Sequence, residues 1–248
     1  MVAVYGVAAQ LNGMYTNMSM AVSGVFVPRV NMLVAKENDN EKLSQIFAKV
    51  GRIQFIIMAL IVSGYIIFGR EFIHIWAGNG YDTSYIIGIF LMVPAIIPLI
   101  QNVGIEIQRA KNMHRARSVV YLLVAIANIF VSIPCIKAWG ANGAAVGTAL
   151  SFFVGNGLFM NWYYHNRIGI NIIFFWTQIL SLLPALVAPA AVGILLRYFL
   201  DLSSIYVLGA CMIVYCAIYM VSMYLFGMNK SEKEMINSFL KKIKIKGQ

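Results

Sequence analysis

The chain has 248 residues, 60% hydrophobic and 11% charged, with a mean hydropathy of +0.77. A soluble core does not carry this much apolar sequence, so the composition fits a bilayer as solvent. The net charge of +10 would suggest nucleic acid in a soluble protein, but nearly all the basic residues fall in alternate connecting segments, which reads as membrane topology and argues against a nucleic-acid partner.

Seven apolar stretches predict membrane-spanning helices over about 2–28, 53–69, 85–107, 118–136, 141–164, 177–198 and 204–226. Helices are the expected form, because backbone N–H and C=O groups cannot go unpaired in hydrocarbon and the period-2 alternation of a membrane barrel is absent. Basic residues crowd the segments around 36–52, 109–117, 167 and 230–246, while the other side holds only Arg70 and Lys137, with Arg197 near a span end. The crowded side is therefore expected to be cytoplasmic, with the amino end outside and the carboxyl end inside. Trp76 and Trp139 at outer span ends, and Trp162 and Trp176 at inner ones, fit an aromatic belt.

The amino end has no basic n-region and no small-residue cleavage site, so it does not read as a secretory signal. The first span is the most polar of the seven. Gln10, Gly13 and Asn17 share one helical face, and Asn12, Thr16, Ser19 and Ser23 share a neighbouring one. Two readings stand: interhelical hydrogen bonding, or a polar cavity. Arg29, just after Pro28, either snorkels to lipid headgroups or holds a substrate phosphate. So polar a helix would insert poorly as the founding span, and further sequence is expected upstream.

Leu43, Ile46, Phe47, Val50 and Ile53 recur at helical spacing with Lys42, Lys49 and Arg52 off that face, which predicts a helix lying on the membrane surface. The third span carries Pro94 and Pro98, then Gln101, Asn102, Gly104 and Glu106. Prolines permit bends where transporters change shape, although static kinking is the alternative. Gln101 and Asn102 are candidates to face a central cavity, and Glu106 to bind a coupling proton or ion. Farther on, Asn128 stands alone, and Gly140, Gly143, Ala144, Ala145 and Gly147 suit close helix packing. In the tail, Ser231 and Glu234 fit a capping box. Met235, Ile236, Phe239, Leu240 and Ile243 form one apolar stripe beside lysines, as an interfacial anchor on anionic lipid would.

No enzyme constellation emerges. Only Glu106 among the carboxylates approaches a span interior, and membrane-embedded catalysis needs several polar groups gathered at depth. Cys135, Cys211 and Cys216 lie in apolar runs without metal-like spacing, and His74, His114 and His165 stand singly, so neither metal nor cofactor is expected.

Several stretches resemble a known family. They are Ala3-Val4-Tyr5 to Pro28-Arg29-Val30, the loop from Ala35 to Arg52, Ile100-Gln101-Asn102 through Gln108-Arg109-Ala110-Lys111-Asn112 to Arg117-Ser118, Asn128, and the turn from Trp139 to Thr148. Over roughly residues 3–165 the chain is similar to the polysaccharide (Wzx-type) flippases, whose superfamily also contains the multidrug-and-toxin extrusion (MATE) exporters and the lipid II flippases. The resemblance implies two six-helix lobes around a central cavity, often followed by two further helices. On that plan 1–165 supplies five spans of the carboxyl-terminal lobe of a MATE-like fold, 166–228 the two additional helices, and 229–248 a basic amphipathic cytoplasmic tail. The amino-terminal lobe and the seventh helix lie outside this chain and become an expected partner, with the lipid bilayer. The implied activity is movement of undecaprenyl-diphosphate-linked oligosaccharide across the bacterial inner (cytoplasmic) membrane, for surface polysaccharide such as O-antigen. The implied substrate cavity holds Gln10, Asn12, Asn17, Arg29, Gln101, Asn102 and Arg109, with Glu106 for ion coupling. Alternatives are a drug or small-molecule exporter of the same superfamily and a seven-helix receptor-like protein. A retinal protein needs a lysine in its last span, and 204–226 has none.

Overall fold

The computed structural model describes residues 2–36, 39–235 and 237, and no strand occurs among them. In chain order the helices are α1 (Val2–Gly24), α2 (Val27–Lys36), α3 (Asn40–Ala77), α4 (Asp82–Ile100), α5 (Val103–Ala110) and α6 (His114–Trp139). They continue with α7 (Ala141–Ile168), α8 (Ile172–Phe199) and α9 (Ile205–Gly227). Six are long and apolar enough to cross a bilayer, or seven if the bent pair α1–α2 counts as one. Exposed Leu122, Ile126, Ile129, Phe130 and Ile133 on α6 alone present more apolar surface than water tolerates. This is an all-helical, multi-span membrane protein.

The bend of 45° between α1 and α2 has a local cause. Pro28 lacks an N–H, so it cannot donate to the Gly24 carbonyl and the α1 ladder stops there. By contrast α3 runs unbroken for 38 residues, about 57 Å at ~1.5 Å per residue. Asp39 caps its start, accepting from the backbone N–H of Glu41 (2.8 Å) and Lys42 (3.3 Å).

This length corrects the sequence reading of 43–53. The segment is not a separate helix on the membrane surface; it is the first three turns of α3. Its apolar face is buried in protein: Phe47 packs on Tyr164 and Phe175, with ring centroids 5.4 and 4.7 Å away. An amphipathic pattern shows which face seeks an apolar neighbour, and it does not distinguish lipid from protein.

Between α6 and α7 lies a single residue, Gly140, at φ 57. The two helices then descend side by side. A Cβ on Gly143 would sit 1.9 Å from the Cys135 carbonyl oxygen, and one on Gly147 would sit 2.2 Å from Ser132 Oγ. The glycine run is therefore packing, as its spacing suggested. Asn128, isolated in sequence, accepts a hydrogen bond from Ser132 (2.5 Å).

The last two spans are bolted to α3 along its length. Tyr215 donates to Ser63 Oγ (2.7 Å) and Tyr219 to the Ile56 carbonyl (2.8 Å). Toward one end Arg197 of α8 donates to Glu71 (3.0 Å) and the Ile67 carbonyl (3.1 Å). Toward the other, Arg52 is buried and all five of its donors are met. Its Nε and Nη2 engage Glu232 at 2.7 and 3.0 Å, and the rest reach the Gln178 carbonyl (2.8 Å), Ser181 Oγ (2.9 Å) and the Gly227 carbonyl (2.8 Å).

Glu232 also revises the tail. The reciprocal cap is formed by Asn229 and Glu232, whose backbone N–H groups each donate to the other's side chain at 2.9 and 3.0 Å respectively, and not by Ser231 and Glu234. Ser231 instead accepts from Lys49 (3.0 Å). Of the expected apolar stripe, Met235 is exposed, and Ile236, Phe239, Leu240 and Ile243 lie outside the described residues.

Polar ties gather the connecting segments rich in basic residues at one end of the bundle. Lys111 Nζ donates to Asn40 Oδ1 (2.6 Å) and to the Ile168 carbonyl (3.0 Å), and desolvation holds its pKa below the ordinary lysine value. Three of the tryptophans, Trp76, Trp139 and Trp162, are exposed near helix ends. Trp176 turns partly inward and donates to Asn161 Oδ1 (3.3 Å).

Two outcomes test this packing. Arg52→Ala strands the buried Glu232 carboxylate and is expected to cost about 3–5 kcal/mol of stability, while replacing both partners by Met recovers most of it. Denaturant unfolding in detergent measures both; equal stability of Arg52→Ala and the parent removes the clamp from the account. Gly143→Leu is expected to lower the melting temperature sharply, whereas Gly209→Leu, which has open space, leaves it unchanged.

Candidate functional site

A cleft of about 710 Å³ opens between α1, α4–α5, α6 and α7. Its construction starts at the break in α4. After Pro98 the helix tightens, the Gln101 N–H reaches back to the Pro98 carbonyl (3.2 Å), and α5 restarts at Val103. Ser19 of α1 locks that break. Its hydroxyl donates to the Leu99 carbonyl (2.9 Å) and accepts from Asn102 Nδ2 (2.9 Å) and Gln54 Nε2 (3.3 Å). A hydroxyl has one donor and two acceptor sites, so this buried hub is saturated.

From this hub the cleft wall runs through Asn12 and Thr16 on α1, Asn102, and Arg109 on α5. Opposite them stand Arg117 and Tyr121 of α6. Thr16 donates back to the Asn12 carbonyl (2.9 Å), whereas Asn12 Oδ1 is buried and has no partner among the described residues.

The two arginines are held differently. Arg109 is largely exposed and pairs with Glu106, one turn back on α5, at 2.9 Å. Arg117 is held by neutral groups: Nη1 donates to Tyr164 Oη (3.0 Å), Nη2 donates to Tyr121 Oη, and the guanidinium lies 4.7 Å from the Tyr121 ring centroid. Tyr121 passes its proton on to Asn156 Oδ1 (3.0 Å). Tyr164 approaches only because residue 104 is glycine, since a Cβ there would lie 2.5 Å from the phenol oxygen. No carboxylate pairs with Arg117 among the described residues, so its charge stays directed at the cleft.

The candidates read from sequence therefore separate. Asn12, Asn102 and Arg109 meet in the cleft, with Glu106 attached through Arg109. Gln101 does not: it is buried on the other side of the break, donating to Asn161 Oδ1 (2.7 Å). Adjacent residues in a helical turn point about 100° apart, and at this break Asn102 is turned to the cleft and Gln101 to Asn161. Gln10, Asn17 and Arg29 are exposed and do not line the cleft. The two polar faces of α1 thus divide: Asn12 and Thr16 point into the cleft, Ser19 and Ser23 are buried, and Gln10 and Asn17 lie on the outer surface.

Sequence reasoning counted Arg117 as a topology charge and passed over Tyr121 and Asn156. The available signal was Arg117 and Tyr121 four apart on one face, which pairs a cation with a ring. A second charged recess, of about 550 Å³, holds Arg70, Glu71, His74, Asp82 and Arg197 near the opposite end. Its arginines are spent on carboxylates, Arg197 on Glu71 at 3.0 Å and Arg70 on Asp82 at 3.8 Å, and Asp201 also lines it.

No protein-family model, curated protein or solved structure matches the chain.

Ser19→Ala leaves Asn102 Nδ2 without its acceptor and the Leu99 carbonyl without its donor, while Gln54 Nε2 keeps the backbone carbonyl of residue 19 (3.1 Å), and is expected to destabilise the fold by about 1–3 kcal/mol. Thermal unfolding in detergent checks it; an unchanged melting temperature removes Ser19 as the hub.

Proposed function

We propose that the chain forms one wall of a pathway that moves lipid-linked oligosaccharide across the bacterial cytoplasmic membrane for surface polysaccharide assembly. The observation that carries this reading is Arg117, a cation at the basic end of α6 that lines the cleft and is held by neutral partners only. A guanidinium without a carboxylate partner keeps its charge for an anionic ligand. A diphosphate head offers the anionic, multidentate acceptor that a guanidinium fork suits, and two of the five Arg117 donors are already engaged in aiming it.

The polar surroundings agree. Asn12, Thr16 and Asn102 supply hydrogen-bonding groups for a sugar-bearing head, and the prenyl chain stays in lipid while the head crosses, which avoids the cost of dragging sugars through hydrocarbon. The basic end of the bundle faces the cytoplasm in this reading and the amino end of α1 faces out. Exposed Gln10 and Asn17 on the outer face of α1 are poor neighbours for lipid, and a second lobe facing them closes the cleft into a cavity. Two lobes rocking about that cavity give alternating access. The Glu106–Arg109 pair is the coupling element, since protonating Glu106 releases Arg109 toward the substrate.

Loss of the gene is expected to leave lipid-linked oligosaccharide on the cytoplasmic leaflet and to deplete surface polysaccharide. In the intact protein, Arg117→Gln is expected to cut export at least tenfold, Arg117→Lys less, and Glu106→Gln to flatten its dependence on the proton gradient. Normal surface polysaccharide in the deletion, or full export by Arg117→Gln, overturns the reading.

A further inference from the structure

A second feature, apart from the cleft and independent of the transport reading, lies on the opposite side of α6. There α6 and α7 diverge to leave an apolar groove of about 580 Å³, which continues into a hollow of about 190 Å³ lined by the shared residues Val124, Ala127 and Val154. Small residues make its floor: Ala127 on α6 and Gly155 on α7, where a Cβ would come within 2.7 Å of Val124. The α7 wall is wound as a π-helix from Phe153 to Met160 and again from Tyr164 to Ile168, a rare form concentrated at functional positions.

The groove is polar at one end only. Arg167 closes it at the basic end of the bundle, exposed and without an ion pair among the described residues. Trp162 stands beside it, half exposed, where an indole marks a membrane–water boundary. Tyr163 turns its hydroxyl away to the Met113 carbonyl (3.3 Å) and offers the groove its ring. Arg115, exposed and four residues before Val119, lies on the same face of α6.

Length decides what fits. From Val119 to Val131 the groove follows α6 for about 18 Å at ~1.5 Å per residue, and one leaflet of hydrocarbon is about 15 Å deep. A single acyl chain of one leaflet fills that depth, whereas a long polyprenyl chain outruns it. We propose that the α6–α7 groove is a binding site for one anionic glycerophospholipid of the leaflet at the basic end, with an acyl chain along Val124, Ala127 and Val154 and its phosphate on Arg167. Basic pockets between membrane helices recognise anionic headgroups through this same combination of charge and apolar wall.

The test is native mass spectrometry of the full-length protein, delipidated in detergent and titrated with phosphatidylglycerol or phosphatidylcholine. One phosphatidylglycerol is expected to survive collisional activation that strips phosphatidylcholine. Arg167→Gln is expected to reduce phosphatidylglycerol retention about fivefold, roughly the worth of one basic residue at an anionic surface, and Arg167→Lys to preserve it. Ala127→Phe, a change on an exposed face that the fold accommodates, is expected to remove the adduct by filling the groove. Equal retention of the two lipids, no loss in either Arg167→Gln or Ala127→Phe, displacement by inorganic phosphate, or a second protein copy in place of the lipid overturns the proposal.

Discussion

The bundle depends on a buried guanidinium. Arg52 sits on α3 with every donor satisfied, and its acceptors come from α8, the end of α9 and the segment beyond it. Taking both charges out of water costs several kcal/mol per ion, and only bidentate geometry with complete hydrogen bonding offsets that. The pair therefore tolerates one arrangement of four chain segments and no other. The rest of the α3 seam, through Tyr219, Tyr215 and Arg197, repeats the logic at intervals along the helix. The last two spans are thus continuous with the core that α3 organises, sharing a buried cluster that includes Phe47, Phe175 and Tyr219.

Against that rigid half, the cleft side is built from looser parts. α6 is held chiefly through its glycine-lined contact with α7, and α4 is broken after its second proline. The arginines of the two halves differ in the same sense. Arg52 and Arg197 are spent on carboxylates and backbone carbonyls and serve structure. Arg117 is aimed by phenols and an amide relay, which orient a charge without neutralising it. A neutral scaffold around a cation is what separates an anion site from a clamp.

Much of this was legible in the residues. Span positions followed from apolar length, because a bilayer imposes a minimum run whatever the helices later pack against. The close approach of α6 and α7 followed from Gly143 and Gly147, and the division of polar residues on α1 from a period of 3.6. The 43–53 segment was read as helical with the correct apolar face, yet its neighbour was misjudged, since Phe47 meets Tyr164 and Phe175 across more than a hundred residues of sequence. The tail cap slipped by two residues for a related reason: Glu232 is drawn to Asn229 partly because Arg52 holds its carboxylate in place.

The chain by itself determined its solvent, its helical class and the end of the bundle where its charges collect, since these depend on composition and on local period. Only the tertiary structure decided which charges are spent and which remain available. Arg52, Arg109, Arg117 and Arg167 are alike in sequence, each a basic residue beside an apolar run. They differ in whether the fold brings a carboxylate, a pair of phenols or an empty groove within reach: Glu232 and Tyr164 reach Arg52 and Arg117 from other segments, whereas Glu106 and Tyr121 lie one turn from Arg109 and Arg117 on their own helices. An ion's role follows chiefly from its immediate surroundings, because Coulomb energy scales inversely with distance and is largest for the groups in contact.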